Sequence, residues 1–435
     1  MPAELAYCYH VQPGLPTALN QYELQRLQLR RLNATIQTAR EKSRFYRQHL
    51  PATQLSSLAE LASLPLMDAG AFANGYEVLL SISPAEVKRL VTLPTSGTTS
   101  KAKRLAFSDA DLQASRNYFA AGMRMLTSDG QVVAVLFPCD RSDGLGQLLV
   151  ESIRQAGCQP LAFGLPSSIK QLACACQQNN VRALVGFPQH LLALARWCEH
   201  HSIDLDILAI LPSADNIPAV LKSEVSRIWG AATYGHFGMT ETGYGAAVQC
   251  PQQDGYHIRE TELLFEIIDP VSCLPLPDGQ WGELVFTTLN RQAMPLIRYR
   301  TGDRTRLLPG RCGCGSILRR IDTVYGRLQE DIQIGASPTD RLAMYQLEEV
   351  LFGLPGVLDF AACWHQSKRC LQLRVAALPA SIDGETVQAG LATLPPLASA
   401  QATAGGNPVQ LEVEIETPSD VKPYYPAKRR IISED

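Results

Sequence analysis

QVVAVLF at 131–137, LGQLLVESIRQAG at 145–157, CQPLAFG at 158–164, IKQLACACQQNN at 169–180, VRALVGFP at 181–188, HLLALARWCEHH at 190–201 and ILAILPS at 207–213 follow one another with hardly a break. Short apolar runs of strand length alternate with longer stretches whose apolar residues recur at helical spacing. When a helix separates each strand from the next, neighbouring strands pair in parallel and the crossover helices cover both faces of the sheet. The alternation predicts β-α-β units and an α/β fold with doubly wound, parallel-type sheets.

Upstream, Gln21 to Arg47 carries Leu24, Leu27, Leu29, Leu32, Ile36 and Phe45 among many Arg and Gln, close to helical spacing, and reads as one basic, solvent-facing helix. Downstream, from about Tyr234 to Arg320, the texture turns to ELLFEIIDP at 262–270, GELVFTTL at 282–289 and IRYRTGDRTRLL at 297–308. Strand-like runs broken by turn residues predict a small antiparallel or barrel-like β subdomain over about 234–325. Beyond Gly326-Arg327, a helix at about Met344–Gly353, strands at about Val357–Trp364 and Leu371–Ala377, and a last strand near Val409–Ile415 make a small α+β domain; SAQATAGGNP at 399–408 is a loop. The expected organisation is a large N-terminal domain, 1–326, and a small mobile α+β C-terminal domain, 327–435.

A chain of 435 residues has room for two or three cores. Its 46% hydrophobic and 19% charged content is that of a soluble globular enzyme. A net charge of −3 leaves no basic footprint for nucleic acid. MPAELAYCYHVQPGLP at the start lacks a cationic segment followed by an apolar one, and no run approaches the roughly 18 apolar residues of a membrane span. A cytoplasmic protein without a nucleic-acid or membrane partner is expected. The 12 cysteines then read as buried thiols or metal ligands rather than disulfides. Cys8, Cys139, Cys158, Cys174, Cys176, Cys198, Cys273, Cys363 and Cys370 stand in apolar contexts and are expected in the core.

Candidate chemistry lies in four segments. TSGTTSKAK at 95–103 gathers hydroxyl residues and two lysines around one glycine, between the apolar RLVTLP and the strand-like RLAFS. Phosphate oxygens want backbone N–H groups, hydroxyl donors and a cation, and a glycine lets the backbone come close. The segment is not a Walker A loop, which would read GxxxxGK[ST]. TYGHFGMTETG at 233–243 places Phe237-Gly238 three residues before Glu241: an aromatic face for a purine and a carboxylate suited to Mg²⁺. LIRYRTGD ends in Asp303, whose carboxylate can accept both hydroxyls of a ribose, and PYYPAKRR carries Lys428. Taken singly, the first is a hydroxyl-rich turn and the last a solvated basic tail.

Together, in this order and at these separations, the four resemble the adenylate-forming superfamily of acyl-CoA synthetases, adenylation domains and luciferases, over nearly the whole chain. GELVFTTLNRQAMPLIRYRTGDRTRLLPGRCGCG at 282–315 and the helical stretch ending in KSRFYRQHL are most similar to the phenylacetate-CoA ligase-like branch. The resemblance implies that Thr95, Ser96, Gly97, Thr98, Thr99 and Lys103 hold the triphosphate, with Lys103 opposing its charge. It implies that Phe237 and Gly238 stack adenine, that Thr240 offers a phosphate-side hydroxyl, and that Glu241 ligates Mg²⁺. LPSADNIP at 211–218 matches the loop on the other side of the adenine, through Ala214 and Asp215. Asp303 matches the ribose aspartate, Arg327 the arginine near ribose and phosphate, and Lys428 the lysine that contacts the acyl carboxylate and α-phosphate. The implied activity is that of an AMP-forming acid–thiol ligase: acyl-adenylate formation, then transfer to coenzyme A, with the C-terminal domain rotating between the steps.

Some positions depart from the family pattern. Ser100 and Ala102 stand where Gly and Pro are usual, Gln329 where an Asp is common, and Ala427 where Gly is frequent. FPCDRSDGLG at 137–146 puts Asp140, Arg141 and Asp143 where the phenylacetate enzymes carry aromatic residues and glycines. Charged neighbours do little for an aryl ring, so either the acid is more polar or these charges face solvent.

Cys250, His257, Cys312 and Cys314, in AVQCPQQDGYHIRE and PGRCGCGS, make a Cys₃His set suited to a structural Zn²⁺; the alternative is a pair of exposed thiols in a Gly-rich turn. The expected partners are a small carboxylic acid, ATP and CoA, with a homodimer left open. Two other readings stay open as well: an adenylating enzyme that transfers to a carrier protein or to a cofactor other than CoA, resembling coenzyme F synthetases, and a catalytically silent nucleotide-binding regulator.

Overall fold

A computed structural model describes residues 20–52, 54–93, 103–140, 144–326, 331–335, 337, 340–401, 408–425 and 428–434. The chain forms two compact units: one of the residues up to Met125 with Glu151–Ala156 and His236–Val324, the other of Leu126–Val150, Gly157–Gly235 and the residues from Tyr325 onward. Among the described residues no helix is long and apolar enough to cross a membrane.

In the second unit the alternating region builds a five-stranded sheet in the order Gln159–Ala162, Val132–Val135, Val181–Gly186, Ala209–Pro212 and Ala232–Thr233. Every pairing is parallel, as the intervening helices require. The strand order reverses beside Val132–Val135, and such a switch point opens a crevice at the carboxyl ends of the strands. Phe137 and Phe187, which follow the two strands there, hold their rings 5.0 Å apart. The C-terminal residues form a four-stranded mixed sheet, Gln410–Glu416, Cys370–Ala377, Val357–His365 and Ile432–Glu434. One apolar core joins it to the parallel sheet through Leu191, Leu194 and Trp197 on one side and Leu351, Phe352 and Phe360 on the other. Arg196 adds polar ties by donating to the carbonyls of Val357 at 2.6 Å and Phe352 at 2.9 Å.

The first unit is antiparallel where the sequence turns strand-rich: a three-stranded sheet of Leu263–Ile268, Gly282–Thr288 and Tyr299–Thr305, and a five-stranded one that includes His236–Phe237, Ala247–Gln249 and Tyr256–Ile258. Arg298 pairs with Glu266 and donates to the carbonyls of Ala62 and Leu64, which fastens the N-terminal segment to this sheet.

Two expectations change. The N-terminal helix is two helices, Gln21–Lys42 and Arg44–His49, because Ser43 leaves the helical conformation and caps the second one through its side chain. Cys174 is exposed, and Cys139, Cys273 and Cys363 are only half-buried, rather than in the core. On the helix Ile169–Gln178 the inward face is taken by Ile169, Leu172, Ala173 and Cys176, and Cys174 points away from it. Cys8 lies outside the described residues.

Tyr46, fully buried, donates through its hydroxyl to Pro295 O at 3.0 Å and accepts from Ile297 N–H at 3.1 Å. Tyr46→Phe leaves both backbone groups without that partner and should destabilise the fold by about 1–3 kcal/mol, read from urea unfolding; an unchanged midpoint would remove this tie from the account.

Candidate active site

Lys103 opens the strand Lys103–Phe107, which pairs with Arg89–Leu93 so that Leu93 stands opposite Lys103. Its ammonium forms an ion pair with Glu241 and donates to Tyr299 Oη at 2.9 Å. The rings of Tyr299 and Phe72 lie 5.3 Å and 5.7 Å from Nζ. Burial pulls the lysine down, but Glu241 and Tyr299 outweigh it and the net shift is upward, so the charge is retained at neutral pH.

Glu241 sits buried in a single turn, Thr240–Thr242, closed by Gly243 and Tyr244, both at positive φ. The Tyr244 ring stacks on Phe107 at 5.6 Å, which brings the turn beside the lysine's own strand. Gly238 is required here on steric grounds: a Cβ would come within 1.9 Å of the Tyr244 carbonyl. Phe237, Gly238 and Thr240 are half-buried around the same turn.

Asp303 is buried on the strand that carries Tyr299, four residues along, within about 14 Å at the rise of an extended chain. The pairing with Gly282–Thr288 is irregular there, and Gly302 has φ +75°. Thr301 Oγ1 donates to Leu284 O at 2.8 Å and accepts from Asp303 N–H at 2.9 Å, which holds the bulged backbone. Thr95, Ser96, Gly97, Thr98, Thr99 and Arg327 lie outside the described residues.

In the other unit, Asp215 and the Lys428 segment meet. The Asp215 carboxylate accepts from the backbone N–H of Arg429 at 2.8 Å and of Asn216 at 3.0 Å. Burial pushes its carboxyl up, against the opposing pull of the Arg429 N–H and the Lys428 charge. Lys428 itself is exposed, whereas the Arg429 side chain is 0% exposed. That guanidinium pairs with Asp359, lies 3.2 Å from Glu348 Oε1, donates to Phe360 O and sits 4.0 Å from the Phe360 ring. Burial, reinforced by Asp215, pushes the Glu348 carboxyl well up while Arg429 opposes it. Ala214 precedes this knot at φ +72°, and Asp140 is exposed; Arg141 and Asp143 are outside the described residues.

Cys250, His257, Cys312 and Cys314 are all buried, with ligand atoms within 4.8 Å of one another. Cys250 Sγ is 3.6 Å from Cys312 Sγ, and Cys314 Sγ is 3.4 Å from His257 Nε2. Burial pushes Cys250 up to about 12 and His257 down to about 4, so the imidazole is neutral. These spacings match the about 3.5–4 Å that separate the ligands of a tetrahedral ion with Zn–S and Zn–N bonds of ordinary length.

Tyr299, Tyr244, Arg429, Asp359 and Glu348 escaped the sequence reading. Tyr299 lay in plain view in IRYRTGD, but Arg429 sat in a Lys-Arg-Arg run that reads as solvated charge.

No protein-family model matches the sequence. The phenylacetate-coenzyme A ligase of Pseudomonas putida is 31% identical over 324 residues, 71% of this chain and 71% of that protein. The enzyme of the same name from Thermus thermophilus is 28% identical over 369 residues, 80% of this chain and 79% of that protein. Among solved structures, 2-hydroxyisobutyryl-CoA ligase in complex with 2-HIB-AMP superposes with a TM-score of 0.76 at 20% identity, covering 96% of this chain and 90% of that one. That likeness fixes the fold class as that of an acyl-CoA ligase. The chain belongs to the phenylacetate-coenzyme A ligase family.

Arg429→Met should destabilise the protein by about 3–5 kcal/mol in urea unfolding, because it leaves the buried Asp359 carboxylate uncompensated. Arg430→Met, at the exposed neighbour, should change little; equal effects of the two would show that the buried pairing carries no weight.

Proposed function

We propose that the protein is an AMP-forming acid–thiol ligase that converts a small carboxylic acid to its acyl-adenylate and then to its CoA thioester. The observation that carries this reading, beside family membership, is the ion pair of half-buried Lys103 with buried Glu241, on the turn that follows Phe237-Gly238. A cation and a carboxylate held rigidly together can bind opposite ends of a metal-nucleotide: phosphate oxygens on Lys103, Mg²⁺ on Glu241. One carboxylate plus substrate phosphates is a usual Mg²⁺ donor set, and the ion supplies neutralisation of phosphate charge when bound.

In the first step a carboxylate oxygen of the acid attacks the α-phosphorus in line and the bond to pyrophosphate breaks. Lys103, with the hydroxyls of Thr95 to Thr99 and Thr240, opposes the charge on the phosphates. Phe237 and Gly238 receive the adenine on one side, with Ala214 and Asp215 assigned to the other. Asp303 accepts the ribose hydroxyls, and Arg327 lies toward ribose and phosphate. Lys428 contacts the acyl carboxylate and α-phosphate. In the second step the CoA thiol loses its proton to solvent, its sulfur attacks the acyl carbonyl carbon, and AMP leaves. Rotation of residues 327–435 about the junction at Gly326, which stands at φ +56°, has to open the apolar core and the Asp215–Arg429 contact that join these residues to the parallel sheet before it exposes the adenylate to the thiol. For the acid, Phe137 and Phe187 at the sheet's switch point favour a ring-bearing or compact apolar substrate over the polar one that Asp140 suggests.

Pyrophosphate exchange across aryl, aliphatic and heterocyclic acids, followed by CoA-dependent AMP release, tests this. At least one acid should support both. Exchange without CoA dependence means a different acceptor, and ATP binding without any exchange means a silent regulator. Lys428→Ala should lower exchange by about a hundredfold or more with little change in ATP affinity, the pattern for a group acting in the transition state; equal exchange rates would take away its role.

We further propose that Cys250, His257, Cys312 and Cys314 hold a structural Zn²⁺. The protein should contain one Zn²⁺ at this site, lost in Cys312→Ser, with a fall in thermal midpoint on chelation; an unchanged metal content in that variant would leave the four as ordinary core residues.

A further inference from the structure

A different group of donors stands on the C-terminal sheet, unconnected with the chemistry above. Cys363 and His365 alternate onto one face of Val357–His365, and the parallel pairing sets Glu434 beside His365. Cys363 Sγ, a ring nitrogen of His365 and a carboxylate oxygen of Glu434 all fall within 4.8 Å of one another. His365 Nδ1 is 3.6 Å from Glu434 Oε2, while Nε2 faces Gln372 Oε1 at 3.3 Å.

That second contact matters for the chemistry. With Nε2–H donating to the amide oxygen of Gln372, the lone pair of Nδ1 points to the side where the thiol and carboxylate lie. A metal-bound histidine characteristically gives its other N–H to such an acceptor, which fixes tautomer and ring plane. Gln372 is itself held, donating to Glu412 Oε2 at 3.5 Å. A thiolate, a neutral imidazole and a carboxylate suit a Zn²⁺-class ion, with a fourth position for water since Glu434 is 60% exposed.

We propose that Cys363, His365 and Glu434 form a divalent transition-metal site that clips the strand Ile432–Glu434 to the strand Val357–His365. The strand it fastens is three residues long, exposed throughout, and paired on one side only. It directly follows the segment of Lys428 and Arg429. Binding displaces the Cys363 thiol proton to solvent and closes a ring between two strands that backbone bonds alone hold weakly. The reading is independent of the reaction assigned to the protein.

The full chain, as purified, is titrated with Co²⁺ and followed by thiolate-to-metal absorption, with the bound metal counted after gel filtration. The wild type should take up one equivalent more than Cys363→Ser or His365→Ala. Glu434→Gln, an exposed change that leaves the fold undisturbed, should weaken that uptake at least about tenfold. Hydrogen exchange at residues 431–434 should slow on adding Zn²⁺ in the wild type and not in the variants. Equal uptake by wild type and variants, or no uptake at micromolar metal, overturns the proposal and leaves His365 and Glu434 as an ordinary surface ion pair. Uptake that is lost in the variants while exchange stays unchanged supports the site and overturns the clip.

Discussion

Arg429 carries a full positive charge to a place with no exposure to water. An isolated guanidinium there would cost several kcal/mol, so the surroundings have to answer it: Asp359 for charge, Glu348 Oε1 at 3.2 Å, Phe360 O to accept a hydrogen bond, and the Phe360 face for the cation. Those partners come from a strand and a helix of the C-terminal region, while the backbone N–H of the same residue goes to Asp215. One residue thereby ties three pieces of chain into a single knot, and the segment bearing Lys428 cannot shift without disturbing a buried ion pair. A long lysine side chain is a poor anchor for itself. Here the backbone below it is held by its neighbour.

Lys103 is fixed by other means. Lys103 belongs to a β ladder, Glu241 to a turn that only glycine at 238 permits, and an aromatic stack of Tyr244 on Phe107 sets the two side by side. Each unit thus prepares its own share of charge by a separate device. One relies on sheet register and ring packing, the other on a buried guanidinium.

Much of this was legible in the chain because it depended on local pattern. Alternating apolar runs from Gln131 to Ser213 had no plausible outcome but a parallel sheet. The four metal-ligand candidates also came together as the sequence suggested, since strand pairing puts His257 beside the strand that ends just before Cys250. What could not be read was whatever depends on long-range burial. A Lys-Arg-Arg run looks the same whether its middle residue is in water or in a core. The break at Ser43 escaped because a serine inside an amphipathic stretch reveals itself as a cap only once its hydroxyl finds Val78 O, a partner 35 positions away. Cys174 was misjudged since composition cannot say which way a helix faces.

The ladder that pairs Leu93 with Lys103 has a further meaning for how such a protein can change over time. The lysine takes its position from the hydrogen-bonded strand it begins, so the intervening residues 94–102 need not hold it. Closing a connection between two already paired strands depends only weakly on its length. Outside the hydroxyls proposed to meet phosphate, that segment is therefore free to vary, as Ser100 and Ala102 do against the family pattern, while the cation at its edge keeps its register.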